Sequence, residues 1–181
     1  MVEYARRRTQ LLAELAPNSI AIIASGTEQL PSLDTYFPCR QDSDFLYLTG
    51  FPEPEALLVL LLGRSQGETL LFCREREREK ECWEGPRLGP ERALSQFGLS
   101  DAFPISDLDD NLPGLLGGRE RVYFPMGRYA HLDWRLRAHR QAIEEAPGNK
   151  RSPEMVDLDY QLWELRQRHF MKLTWRRSER R

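Results

Sequence analysis

The chain is poor in the residues from which catalytic centres are usually assembled. Histidine occurs only at His131, His139 and His169, and cysteine only at Cys39, Cys73 and Cys82. No two cysteines stand in a C-x-x-C pair, so neither a zinc ribbon nor a disulfide framework is indicated, and a reducing compartment such as the cytoplasm is expected. Each cysteine reads as a small buried hydrophobe. His131 and His139 fall on neighbouring lines of one helix, too far apart along its axis to share a metal. The motifs H-E-x-x-H, G-x-S-x-G, G-x-G-x-x-G and the P-loop are absent, which makes an unaided hydrolase hard to build. Asp107, Asp109 and Asp110 lack the glycine-turned loop and closing glutamate of a calcium site and read instead as helix-capping acids. Long apolar runs are missing too. The longest, Ala56 to Leu62, is far too short to cross a bilayer, and the Arg-rich start carries no signal-peptide core.

What is present is the composition of a globular protein: 181 residues, 40% hydrophobic and 30% charged, with a formal net charge of −2. That length suits one domain, with or without a tail, and buries a core without staples. Charge is unevenly spread. From Glu164 to Arg181 the basic residues Arg166, Arg168, Lys172, Arg176, Arg177, Arg180 and Arg181 face only Glu164 and Glu179, which leaves the remainder acidic. Such an end is a solvated terminus or, alternatively, a contact for nucleic acid or acidic lipid. The alternating run Arg74 to Trp83 reads as a solvent-facing helix whose cancelling signs argue against nucleic acid.

Periodicity outlines the elements. Tyr4, Leu11, Leu12 and Leu15 share helical spacing, interrupted by polar Arg8 and stopped by Pro17 and Asn18. Ile20 to Ala24 follows as a fully apolar strand. Asp42, Ser43 and Asp44 are expected to hold a tight turn by bonding nearby amides. Phe45 to Thr49 then reads as a buried aromatic strand broken by Gly50 and Pro52. Ala56 to Leu62 and Thr69 to Cys73 predict a central antiparallel hairpin. Beyond them come a short helix at Glu91 to Phe97, a strand at Phe103 to Ile105, a helix at Leu108 to Leu116, a strand at Arg121 to Pro125 and a long helix at Tyr129 to Glu145. This order predicts an α/β fold, a mixed sheet with helices on its faces.

The stretch YFPCRQDSDFLYLTGFPEPEALLVL, followed by LLFCRERERE and CWEGPRLGPERA, resembles the amino-terminal domain of bacterial aminopeptidase P, in the creatinase/prolidase family. FGLSDAFPISDLDDNLPGLL, ERVYFPMGRYAHLD and MVDLDYQLWELR extend the similarity to Gln167. It implies a mostly six-stranded mixed sheet with a ribonuclease H-like motif over residues 1–167, followed by a divergent basic tail, 168–181.

The resemblance further implies that the family reaction, removal of an N-terminal residue preceding proline, is performed by a following domain. There two aspartates, a histidine and two glutamates hold a pair of metal ions, usually manganese, and none of these ligands is assignable here. The present chain is therefore expected to be noncatalytic, to form a homo-oligomer, and to work with a catalytic domain or subunit supplied in trans. Two residues carry over. Asp34, in SLDTYFPCRQ, is similar to an aspartate that approaches a neighbouring subunit's active site, where a carboxylate suits a free α-ammonium. Trp83, in CWEGPR, resembles a tryptophan bordering a neighbour's substrate cleft, a flat wall for a proline ring. The alternative expectation is a free-standing module that binds a peptide or small ligand without peptidase activity. With the catalytic partner removed, an exposed apolar patch and self-association are expected.

Overall fold

The structure is a computed structural model that describes residues 2–26, 41–63, 69–77, 81–82, 85–146 and 152–178, the side chains only as far as residue 170. Helix α1 (Val2–Leu12) leads into β1 (Ser19–Ala24), and α2 (Ser43–Thr49) precedes β2 (Leu57–Leu61) and β3 (Thr69–Cys73). Helix α3 (Gly89–Phe97), β4 (Asp101–Pro104) and a single 3-10 turn (Ile105–Asp107) follow. Next come α4 (Leu108–Leu116), β5 (Arg121–Phe124), α5 (Ala130–Glu145), β6 (Glu154–Asp157) and α6 (Asp159–Ser178).

The strands form one six-stranded sheet in the order β4-β3-β2-β1-β5-β6. Strand β2 runs antiparallel to both its neighbours, with Ile22 opposite Val59 and Leu58 opposite Leu71. All other pairings are parallel. The mixed sheet read from the residues and the family resemblance is thus present.

Strands β1, β2 and β3 are buried at every position, because helices cover both faces. Alternation divides their side chains cleanly. Ala21, Ile23, Leu58, Leu60 and Leu71 pack with Leu11, Phe45, Leu48, Ala93, Leu162 and Leu165, from α1, α2, α3 and α6. Ile20, Ile22, Val59, Leu70 and Phe72 pack on the other side with Leu112, Leu116, Leu132 and Leu136, from α4 and α5.

Arg8, which interrupts the apolar line of α1, is itself buried. Its guanidinium donates to Leu48 O at 2.9 Å and Gly98 O at 2.6 Å. It therefore satisfies the carbonyl ends of α2 and α3 together, the place where a helix dipole welcomes a cation.

Three expectations are corrected. Residues 45–49 belong to a helix, not a strand. Asp42 caps that helix, its carboxylate accepting from Asp44 N and Phe45 N at 2.9 Å each. Gly50 closes it in the left-handed conformation, its N–H bonding Leu46 O. Two strong caps outweigh the β preference of the aromatic residues between them. Phe45, Leu48 and Thr49 then share one buried face at helical spacing. Secondly, of the helix expected from Arg74 to Trp83, residues 74–77 are not helical, whereas Glu81 and Cys82 are, Glu81 N bonding Glu77 O at 2.8 Å; the remaining residues of that run lie outside the described ones. Thirdly, Asp107 sits at the start of α4 without a capping bond from its side chain. Asp109 instead pairs with Arg135 and His139, tying α4 to α5.

Candidate functional site: the carboxyl edge of the sheet

Strands β1, β3, β4, β5 and β6 point the same way, so their carboxyl ends meet at one edge, where open α/β sheets place their binding crevices. The segments bearing both candidate residues depart from this edge, after β1 and after β3. Asp34 and Trp83 themselves lie outside the described residues, as does Cys39. Their anchors do not.

Gln41 closes the base of the first segment. Its Oε1 accepts from Gly26 N at 2.7 Å and from Asp42 N at 3.0 Å. Its Nε2 donates to Glu53 O at 2.7 Å. Gly26 and Gln41 are thereby joined across a fourteen-residue interval, residues 27–40. Glu53 continues the connection into the second segment, its Oε1 accepting from Leu88 N at 2.6 Å. There Glu81 accepts from Arg76 Nε at 3.2 Å and Arg87 N at 3.1 Å. The Arg76 bond, followed by that of the Arg87 amide, pulls the Glu81 carboxyl below its usual range. Arg87, buried, donates to Glu75 O. A cavity of about 430 Å³ opens beside this segment, between Glu75, Arg76, Leu88 and the start of α3.

Below Gln41 lies a cluster of fixed charge. Arg128, in the turn after β5, places Nη1 3.1 Å from Asp42 and 2.7 Å from Asp44, and Nη2 2.5 Å from Asp159. Arg166 reaches the other oxygen of Asp44 at 2.8 Å. The Tyr129 hydroxyl donates to Asp42 at 2.9 Å. The turn that presents Arg128 is held by Asp157, which accepts from Met126 N, and by Asp133, which accepts from Gly127 N.

Burial opposes the charge on Arg128, yet the hydrogen bond it donates to Asp44 and the nearby carboxylates together hold its pKa above the ordinary value. Burial, reinforced by Asp42, raises the Tyr129 hydroxyl as well. Asp159 is raised by burial, with Asp157 and Asp44 adding to it against the pull of Arg128.

This donor set does not fit the metal pair that the family resemblance implies. The oxygens of Asp42, Asp44 and Asp159 already accept from guanidinium, phenol and backbone N–H groups, so a dication would have to displace Arg128. No group of three or more His, Cys, Asp or Glu side chains among the described residues is placed to hold a metal ion. Nor is there an activated nucleophile at Cys73, whose thiol is buried and pushed up to about 12. What the arrangement can do is mechanical: it fixes the roots of two long segments to each other and to α6.

Sequence reasoning missed Arg128, Tyr129, Gln41, Glu53 and Arg166. Their partners lie far away in the chain, up to 122 positions for Arg166 and Asp44, and no local pattern announces such pairs. The acidic turn Asp42-Ser43-Asp44 was the one visible half. Helix α6 runs without a break through Gln167 and beyond it, with Arg168 pairing to Glu14 and His169 lying 3.6 Å from Glu3. Among the described residues no helix is long and apolar enough to cross a membrane.

Comparison with known proteins agrees with this architecture. The sequence model of the family "Aminopeptidase P, N-terminal domain" matches residues 4–123. The Xaa-Pro aminopeptidase of Escherichia coli (strain K12) is 40% identical over 132 residues, covering 72% of this chain and 30% of that protein. The one from Haemophilus influenzae is 39% identical over 121 residues, covering 67% of this chain and 28% of that protein. The solved structure of Pseudomonas aeruginosa aminopeptidase PepP superposes with a TM-score of 0.84 at 49% identity, covering 89% of this chain and 37% of that one. The chain thus spans only about 30% of the length of the curated relatives it matches. With a family match over most of its length and a shared sheet, the chain belongs to the family of aminopeptidase P amino-terminal domains.

Proposed function

We propose that this chain serves a Xaa-Pro aminopeptidase as its noncatalytic amino-terminal domain, associating with further copies and shaping the entrance through which a peptide reaches a catalytic domain. In this reading Asp34 receives the substrate's free ammonium and Trp83 forms a wall for its proline ring. The metal pair, manganese in the family, belongs to the catalytic domain and draws no ligand from here. The cytoplasm is the compartment that suits a chain with a reduced, buried Cys73 thiol.

The observation that carries the reading is the shared origin of the two segments at one sheet edge, with both roots clamped through Gln41, Glu53 and Leu88. A chain that must present two side chains to another surface gains from such rigid roots. Association is supported by the exposed aromatic residues Tyr160, Trp163 and Phe170 along α6, since large exposed apolar groups in a row favour a partner surface.

The test joins this chain to the catalytic portion of the Pseudomonas aeruginosa relative, in place of that protein's own matching segment. Asp34→Asn and Trp83→Ala should each lower kcat/KM for Xaa-Pro peptides by about tenfold, the worth of one charge-assisted bond or one ring contact. Unchanged kinetics in both variants overturn the entrance role. The chain by itself should show no turnover with manganese and should sediment as an oligomer; a clean monomer at high concentration overturns the association.

A further inference from the structure

A second cavity lies on the opposite face of the same sheet edge, enclosing about 280 Å³. It sits outside the carboxyl end of β1, where the sheet order turns from β2 on one side to β5 on the other. Such a switch point is where α/β folds leave a crevice between diverging connections. The interior is apolar, formed by Ala24, Leu57, Leu108 and Leu132, all nearly inaccessible to solvent. The rim is charged. It carries Glu55 from the turn before β2, and His131 and Arg135 from the first turns of α5.

Glu55 is the unusual member. Its φ of +53° lies in the left-handed region, where a residue with a Cβ is disfavoured by about 1–2 kcal/mol. Its carboxylate has no hydrogen-bond or ion-pair partner among the described residues, although its backbone N–H reaches Gly26 O. A strained, unpartnered acid above an apolar hole is poorly explained by folding alone. Arg135 pairs with Asp109 through Nε at 3.1 Å, and no second carboxylate among the described residues forms an ion pair with it. The start of α5 adds the positive end of a helix dipole on the same wall.

We propose that this cavity is a binding site for a free aliphatic α-amino acid. Glu55 takes the ammonium, Arg135 with His131 takes the carboxylate, and the apolar floor takes the side chain. The volume falls just below the roughly 300–1,000 Å³ of pockets for drug-sized ligands, which suits one amino acid. The balanced rim selects a zwitterion over a simple anion or cation, because either alone would meet a like charge. The inference goes beyond the entrance role proposed above and does not rest on it.

L-leucine is the probe, titrated into the whole chain by calorimetry. Leucinamide, which lacks the carboxylate, and N-acetyl-leucine, which lacks the ammonium, should each bind about tenfold more weakly, as expected for loss of one charge-assisted bond. Glu55→Gln should weaken leucine about tenfold while leaving N-acetyl-leucine unchanged, and Arg135→Met should do the same with leucinamide as the insensitive ligand. Both side chains are on the rim, and unchanged thermal unfolding of each variant establishes that the fold survives. The proposal is overturned if leucine shows no saturable heat up to about 10 mM, enough to reveal a dissociation constant of about 1 mM. Equal affinity for leucine and leucinamide overturns it too, as does leucine binding that neither variant alters.

Discussion

Replacing Arg128 by Met removes the centre of the charge cluster while retaining most of the side-chain volume. The consequence is set by what each carboxylate has left. Asp44, whose side chain is only 5% exposed, keeps Arg166, itself 43% exposed. Asp42, 10% exposed, keeps two backbone N–H bonds and the Tyr129 hydroxyl. Asp159, 42% exposed, can turn to water. Breaking a fully buried pair from one side costs about 3–5 kcal/mol. Arg128 is 29% exposed and the remaining partners screen part of the loss, so about 3 kcal/mol is expected. For a chain of this size that lowers Tm by roughly 6–12 °C. Urea unfolding should report a lower midpoint with an unchanged slope. Arg128→Lys should recover part of the loss, since an ammonium keeps the charge but cannot fork between three carboxylates. Combining Arg128→Met with Asp44→Asn should cost less than the two added together, by about 1–3 kcal/mol. A loss under about 0.5 kcal/mol for Arg128→Met would place the cluster among ordinary surface charges and refute the clamp.

Gly50→Ala strains a left-handed cap at φ +69° and drives a Cβ to within 2.5 Å of the Tyr4 ring, for a loss of about 3 kcal/mol in chemical denaturation. Adding Tyr4→Ala should relieve the clash and leave only the conformational part of about 1–2 kcal/mol; an identical loss in both backgrounds contradicts the contact. Tyr47→Phe deletes a hydroxyl that is buried without a hydrogen-bond partner while keeping the ring 4.2 Å from the Arg7 guanidinium. Stability should hold or rise by up to about 1 kcal/mol, and a loss above that would reveal a hidden partner. Cys73, raised by burial from 9.0 to about 12, should resist alkylation at neutral pH until the chain unfolds, as read by mass spectrometry of the labelled peptide. Because the folded value is the higher one, its contribution to stability is complete below the unfolded pKa and is lost as pH rises through the folded one. Alkaline denaturation should therefore begin later when Cys73 is replaced by Ala than in the parent chain.

The central sheet was legible because its signal is local and repeated. Six consecutive residues of β1 and five each of β2 and β3 are buried, and continuous aliphatic runs between turn residues announce such strands. The region around Phe45 was misread for an equally local reason. Aromatic and aliphatic residues in alternation favour a strand on propensity, whereas Asp42 and Gly50, seven residues of helix apart, carry a stronger instruction as caps. Asp42 is legible in the sequence as a turn former, whereas the length of helix that it starts is not. β6 escaped notice because Glu154–Asp157 is four residues long with exposed ends, too short to show alternation. It exists through pairing with β5 and through Arg121, whose Nε bonds Glu154 at 2.9 Å across the strands.

The charge cluster shows why a site can be hidden when its fold is plain. Asp42 and Asp44 are two apart and visible as a pair, but what they mean depends on Arg128 and Arg166, residues that only the topology brings near. Parallel β1, β5 and β6 deliver the residues after each strand to one edge, so Arg128 and Asp159 arrive beside the start of α2 as a consequence of strand order. A sequence reading that correctly orders the strands can therefore infer the meeting of these segments, though not the pairing of individual atoms. The segments that carry Asp34 and Trp83 in the sequence are rooted at that same edge by Gln41 and Glu53, and connections rooted on a rigid scaffold are where binding residues concentrate. Loosening the root without touching either residue is then the decisive perturbation for the entrance role. In the fusion with the catalytic portion, Gln41→Ala should reduce kcat/KM for Xaa-Pro dipeptides and longer peptides alike, because the free ammonium and the proline ring proposed to meet the two segments are present in both, and unchanged kinetics with intact folding refute the rooting argument.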